Sequence, residues 1–151
     1  MTKIKFGTDG WRARIAEDYT FDNVRRCAQG FATFLKENGR ADQGVVIGYD
    51  QRFQADNFAA STAEVMAANN IHVWLTESNT PTPAISYAVV ERQAGGAVNI
   101  TASHNAATDC GFKVRDPLGG AIPPSDLKRI EGMIPENSKV PRIKLDDALS
   151  D

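Results

Sequence analysis

No run of this sequence is apolar for the roughly 20 residues that a membrane-spanning helix needs, and the start, Met1 to Lys5, has no apolar secretory core. Neither a membrane partner nor export is implied, and the cytoplasm is the expected location. Charge of one sign is also missing: 17 Lys and Arg face 19 Asp and Glu, a net charge of -2. With no long run of either sign, a nucleic-acid partner is not implied. Cysteine is scarce, with Cys27 inside a helical pattern and Cys110 in what reads as a loop. Two thiols without a motif read as free thiols rather than a disulfide or a metal site. His72 falls within an extended pattern and reads as structural. The fingerprints Gly-x-Gly-x-x-Gly and Gly-x-x-x-x-Gly-Lys-[Ser/Thr] do not occur, which weakens a flavodoxin-like nucleotide binder. No Asp-x-Asp-x-Asp arrangement, internal repeat or low-complexity tract occurs either.

What is present suits one soluble core: 151 residues, 42% hydrophobic and 24% charged. From Thr20 to Lys36 the apolar residues Phe21, Val24, Cys27, Ala28, Phe31, Phe34 and Leu35 recur at three- and four-residue steps, one helix face turned to a core. Thr20 is positioned to cap its start and Gly39 to close its end. The nearly all-apolar Gly44 to Asp50 predicts a strand covered on both faces. Ala55 to Ala68 predicts a helix stopped by Asn69-Asn70, and Ile71 to Thr76 a third extended segment. The stiff loop Asn79-Thr80-Pro81-Thr82-Pro83 precedes a helix over Ala84 to Gln93. Ala94 to Ile100 predicts a buried strand, Gly111 to Arg115 a partner running back beside it, and Asp126 to Met133 a last short helix with Ser125 as its cap. From Pro135 the periodicity fades, and Leu145 to Asp151 shows no closing element. Helix and strand alternate, so the expected fold is a three-layer α/β/α domain with a mixed sheet.

The buried strand ending at Ile100 delivers Thr101-Ala102-Ser103-His104-Asn105 to a sheet edge, and the returning segment brings Lys113 toward Ser103. A serine hydroxyl is a poor nucleophile unless a neighbour takes its proton or it already carries a group to transfer. Near the start, Gly7-Thr8-Asp9-Gly10-Trp11-Arg12 is a glycine-punctuated loop. It is able to turn backbone amides and Arg12 toward an anion, or to be an Asp-Gly turn with a solvated arginine. Asp50 and Arg52 follow the C-terminal end of a central strand, where α/β proteins gather ligands, and equally read as a local ion pair.

Three stretches together carry a resemblance. Thr101-Ala102-Ser103-His104-Asn105 with Gly111 and Lys113 resembles the phosphoserine loop of the α-D-phosphohexomutases, the family of phosphoglucomutases and phosphomannomutases. Phe6 to Arg12 resembles that family's Gly-Thr-x-Gly-x-Arg signature, and Gly48-Tyr49-Asp50-Gln51-Arg52 its Gly-x-Asp-x-Arg segment. The loop at Pro81 is similar to the family's Thr-Pro loop. The sequence departs from the family at Ala106, where proline is usual, and at Cys110, where asparagine precedes the glycine. Proline's absence loosens the loop, and asparagine's removes a polar group.

The resemblance implies domain 1 of such an enzyme, with a mixed, mostly parallel four-stranded sheet between helices. Residues 1–134 would be that domain, and 135–151 a linker toward a second domain not present here. The implied parent activity is interconversion of hexose 1-phosphate and 6-phosphate through a bisphosphorylated intermediate. Ser103 would carry the phosphoryl group, and Lys113 would act as general base or as a charge partner of the phosphate. His104 would orient the phosphate and Arg12 stabilise its charge. Thr8, Gly10, Asn105, Asp50 and Arg52 would bind phosphate or shape the loops. A phosphoserine oxygen on Ser103 would bind Mg²⁺, whose other ligands, like the sugar-recognition and substrate-phosphate loops, would lie in later domains. The implied partners are a hexose phosphate, a hexose bisphosphate as activator, and those missing domains. The isolated fragment is expected to be inactive. The alternative is a non-catalytic phosphosugar-binding or regulatory module on the same fold.

Overall fold

The computed structural model describes residues 3–149. Positions 1–2 and 150–151, the outer ends of the two expected segments, lie outside that range.

Helix α1 (Phe21–Glu37) forms where the three- and four-residue periodicity placed it. Thr20 caps it by accepting from the Asn23 N–H at 3.3 Å, and Lys36 in the last turn complements the helix dipole. At the far end Gly39, with φ 65°, takes the left-handed conformation. The Arg40 N–H then reaches back to the Leu35 carbonyl at 2.8 Å. Burial of Phe31, Phe34 and Leu35 contributes about 1.5–3 kcal/mol per side chain. Helix α2 (Ala55–Ala68) buries Phe58, Thr62, Val65 and Met66 and ends at Asn69. Helix α3 (Thr82–Glu91) starts two residues earlier than the sequence pattern suggests, because Pro81 sets the extended N-cap and Pro83 is accommodated in the first turn, where no amide is needed. Helix α4 (Pro124–Gly132) is capped by Pro123, not Ser125, which lies inside the first turn and makes no capping bond.

The strands are β1 (Gly10–Arg14), β2 (Val45–Tyr49), β3 (Val73–Leu75), β4 (Ala97–Ile100) and β5 (Asp109–Arg115). They form one sheet in the order β1-β5-β4-β2-β3. The sheet is thus mixed, as expected, but has five strands instead of four. Parallel and antiparallel pairings are equal in number, since β2 runs parallel to β3 and β4 while β5 runs antiparallel to β4 and β1. The extra strand is the stretch that reads as a glycine-punctuated loop. Its pairing rests on backbone, with Gly10 opposite Lys113 and Trp11 opposite Phe112. Gly10 has φ 149°, and a Cβ there would run into the Phe112 carbonyl oxygen, so only glycine lets β1 approach β5 this closely. Cys110, expected in a loop, lies in β5, where it pairs with Ala13 of β1.

Alternate residues of the central strands serve different layers. Val45, Ile47, Val98, Ile100, Phe112 and Val114 join the cluster of α1, α2 and α4, whereas Val46 and Ala97 face Ile85 and Val89 of α3. The three-layer α/β/α arrangement follows. After Ile134 a short helix, α5 (Leu145–Ala148), packs beside α2, and the Ile143 N–H donates to the Glu64 carbonyl at 3.1 Å. One turn of helix carries too little periodicity to announce itself in sequence.

Candidate active site

Antiparallel pairing of β4 with β5 folds residues 101–108 into a loop beyond the strand ends, and the side chain of Lys113 points into its base. Lys113 Nζ donates to Ser103 Oγ at 2.6 Å. It also pairs with Asp9 Oδ2 at 2.8 Å, from the residue just before β1. Lys113 is only 5% exposed, and an ammonium so buried requires an opposite charge. Asp9 supplies it. The other Asp9 oxygen lies 3.6 Å from Arg12 Nη2, and Arg12 Nη1 donates to Asn105 Oδ1 at 3.1 Å. Two cations, one carboxylate and one hydroxyl therefore share a single cluster.

Ser103 has φ 54°, a left-handed conformation that a residue with a Cβ adopts at a cost of about 1–3 kcal/mol. Its N–H donates to Thr101 Oγ1 at 3.1 Å. The rest of the loop is held by Arg52, whose Nε pairs with Asp50 Oδ2 at 3.2 Å. Arg52 Nη1 donates to the carbonyls of Ala106 and Asp109, and Nη2 to those of Ser103 and Asn105, at 2.7–2.9 Å. A guanidinium has five N–H donors, and these five contacts occupy all of them. Asp50 in turn accepts from the Arg52 N–H at 2.9 Å.

The sequence-derived candidates thus divide. Ser103, Lys113, Arg12 and Asn105 come together in one bonded cluster. Asp50 and Arg52 form the loop's brace. Gly10 fixes the β1–β5 approach. Thr8 is exposed on the rim of a cavity of 340 Å³ lined by Lys5, Gly7, Thr8, Asp9, Gly10 and Arg12. His104 is exposed and joins no hydrogen bond among the described residues. Asp9 is absent from the sequence-derived candidates. Only the β1–β5 register, which places its neighbour Gly10 opposite Lys113, would have signalled it. A larger cleft of 780 Å³ lined by Arg26, Lys128 and Glu131 lies between α1 and α4 and has no serine, threonine, cysteine or histidine among its lining residues.

An α/β/α domain that holds a serine hydroxyl against a buried lysine, with an arginine in the same bonded cluster, has the groups that a transferase site uses. Comparison with known proteins narrows the class. Residues 3–141 match the family profile described as phosphoglucomutase/phosphomannomutase, alpha/beta/alpha domain I. The chain is 33% identical over 134 residues to a phosphoglucomutase of Staphylococcus saprophyticus, covering 87% of this chain and 24% of that one. It is 34% identical over 145 residues to glucose 1,6-bisphosphate synthase of Mus musculus, covering 89% and 23% respectively. A crystal structure from Thermus thermophilus, provisionally named a phosphomannomutase, superposes with a TM-score of 0.88 at 37% identity, over 93% of this chain and 32% of that one. The chain belongs to the phosphoglucomutase/phosphomannomutase family and corresponds to its α/β/α domain I. It spans about a quarter of the length of these curated relatives.

Proposed function

We propose that this chain is the phosphoserine-bearing domain of a sugar-phosphate mutase, with Ser103 as the phosphoryl carrier. The observation that carries the reading is the 2.6 Å contact from Lys113 Nζ to Ser103 Oγ. In the donating direction a sugar hydroxyl attacks phosphorus and releases its proton to solvent, the P–Oγ bond breaks, and negative charge develops on Oγ. Lys113 is placed to neutralise it by donating a proton, and to take the proton back when Oγ attacks the bisphosphorylated intermediate. The lysine is then both the charge partner and the acid–base group of the serine. Arg12, anchored through Asn105, supplies a second positive charge for the phosphoryl oxygens. His104, exposed beside Ser103, is free to turn toward a phosphoryl group.

The Mg²⁺ that the family resemblance implies does not fit the residues of this chain alone. Among the described residues no three His, Cys, Asp or Glu converge as ligands, and Asp9 is engaged by Lys113 and Arg12. Calorimetric titration of the phosphorylated chain should find no Mg²⁺ site as tight as about 1 µM. Residues 1–134 form the domain in this reading, and 135–151 lead toward the segments that hold the substrate. The chain alone should therefore fold without interconverting hexose 1- and 6-phosphates, and a coupled assay showing turnover that tracks the purified chain would contradict that. A cytoplasmic setting accords with the two free thiols.

The test is phosphorylation itself. Incubation with glucose 1,6-bisphosphate and the domains that hold the substrate should place phosphate on Ser103 and on no other serine, as read by peptide mass spectrometry. Lys113→Met should slow it by about 10²–10⁴-fold, the usual contribution of an acid–base group. Phosphate found only at other residues would favour the rival reading, a non-catalytic phosphosugar-binding module.

A further inference from the structure

Asp9 stands where the positive charge of the site is concentrated, and no step of the phosphoryl chemistry above uses it. One carboxylate oxygen is 2.8 Å from Lys113 Nζ and the other 3.6 Å from Arg12 Nη2. These are the two cations that a phosphoryl group on Ser103 Oγ would need. The same ammonium is 2.6 Å from that Oγ, so a phosphoryl group there and the Asp9 carboxylate would compete for it.

We propose that Asp9 is an internal counter-ion, which fills the cationic cradle while Ser103 is unmodified and yields it once Ser103 carries phosphate. The proposal rests on the reading of Ser103 as phosphoryl carrier and gives that site its means of exchanging charge. A phosphomonoester at neutral pH bears close to two negative charges against the carboxylate's one, so it wins both cations. The displaced carboxylate has somewhere to go. Its side chain is already 23% exposed and borders the 340 Å³ cavity.

Its backbone need not move. The Asp9 carbonyl is held by the Val114 N–H at 3.1 Å, and the turn before it is closed by the Gly7 N–H on the Gly10 carbonyl at 2.7 Å. Rotation of one side chain is enough. In the unmodified protein the carboxylate keeps buried Lys113 paired and excludes inorganic anions from the cradle. Asp9 is on this account a positioning residue, acting through Lys113 and Arg12.

Asp9→Asn keeps the shape and removes the charge. Titration of the 151-residue chain with inorganic phosphate, followed by ¹H–¹⁵N spectra, should show the variant binding at Ser103 and Lys113 about tenfold or more tightly than the parent. Lys113→Met in the same background should abolish the gain. A purely structural role predicts loss, not gain, so affinity equal to or below the parent's overturns the proposal. A second measurement needs no substitution. In chain carrying ¹³C-labelled aspartate, the Asp9 carboxyl resonance should shift on phosphorylation of Ser103, and a stationary resonance in chain shown by mass spectrometry to be phosphorylated also overturns it. If Asp9→Asn gains anion affinity while Ser103 never accepts phosphate, the counter-ion stands and the phosphoserine reading falls.

Discussion

Arg52 shows how one side chain can set the geometry of a loop through the loop's own backbone carbonyls. With one bond to Asp50 and four to loop carbonyls, it has all five N–H donors engaged in bracing the loop. Arg52→Ala should lower stability by about 1–3 kcal/mol, because hydrogen bonds to a charged group are lost while most of the carbonyls regain water. Amide exchange should quicken across residues 102–109 and remain unchanged in β2 and β4, and Ser103 should be phosphorylated more slowly. Arg52→Lys should not restore the loop, since a single ammonium cannot reproduce the planar fork. Equal exchange protection in the loop of Arg52→Ala and the parent would sink the idea. None of the four acceptors was legible in the sequence, because a backbone carbonyl has no residue type. The Ser103–Lys113 approach was legible, since two strands joined by a short loop must bring those positions together. The pairing of Lys113 with Asp9 was not, because it depends on a strand whose glycines and polar residues conceal it.

Local physics settled the elements with a strong period, and tertiary contact settled the rest. Helices α1 and α2 lie where their apolar spacing put them, and β2 and β4 where continuous apolar runs did. Strand β1 and helix α5 needed partners, β5 and α2, to exist at all. The two expected N-caps make a paired test of that distinction. Thr20 satisfies the Asn23 N–H, so Thr20→Ala should cost about 1 kcal/mol. Ser125 makes no capping bond and sits in a helix started by Pro123 and Pro124. Ser125→Ala should therefore fall within about 0.5 kcal/mol of the parent. Urea denaturation midpoints of the two variants decide it, and equal losses would mean that capping is not what distinguishes these helix starts.

At the scale of the whole molecule, the two thiols report on a single cooperative core. Cys27 on α1 and Cys110 on β5 are both fully buried within the main apolar cluster, far apart in sequence. Burial pushes the Cys110 thiol from 9.0 up to about 11, drives Cys27 higher still, and raises the Tyr19 hydroxyl well above 10. Each is an acid that the folded protein keeps neutral and the unfolded chain lets ionise. Below pH 9 both states hold these protons and the thiols add no pH dependence. Above it the unfolded state holds fewer, so stability falls as pH rises, by at most about 1.4 kcal/mol per pH unit for each group. Denaturant midpoints should thus be level from pH 7 to pH 8 and decline from pH 9 to pH 10.5, and Cys27→Ala/Cys110→Ala should flatten much of that decline. A thiol reagent at pH 8 should label both cysteines together, at the rate of global unfolding. Prompt labelling of Cys110 alone, with Cys27 protected, would instead show that β5 opens locally at the edge of the Ser103 loop, and would place the mobility of the site in the strand that carries Lys113.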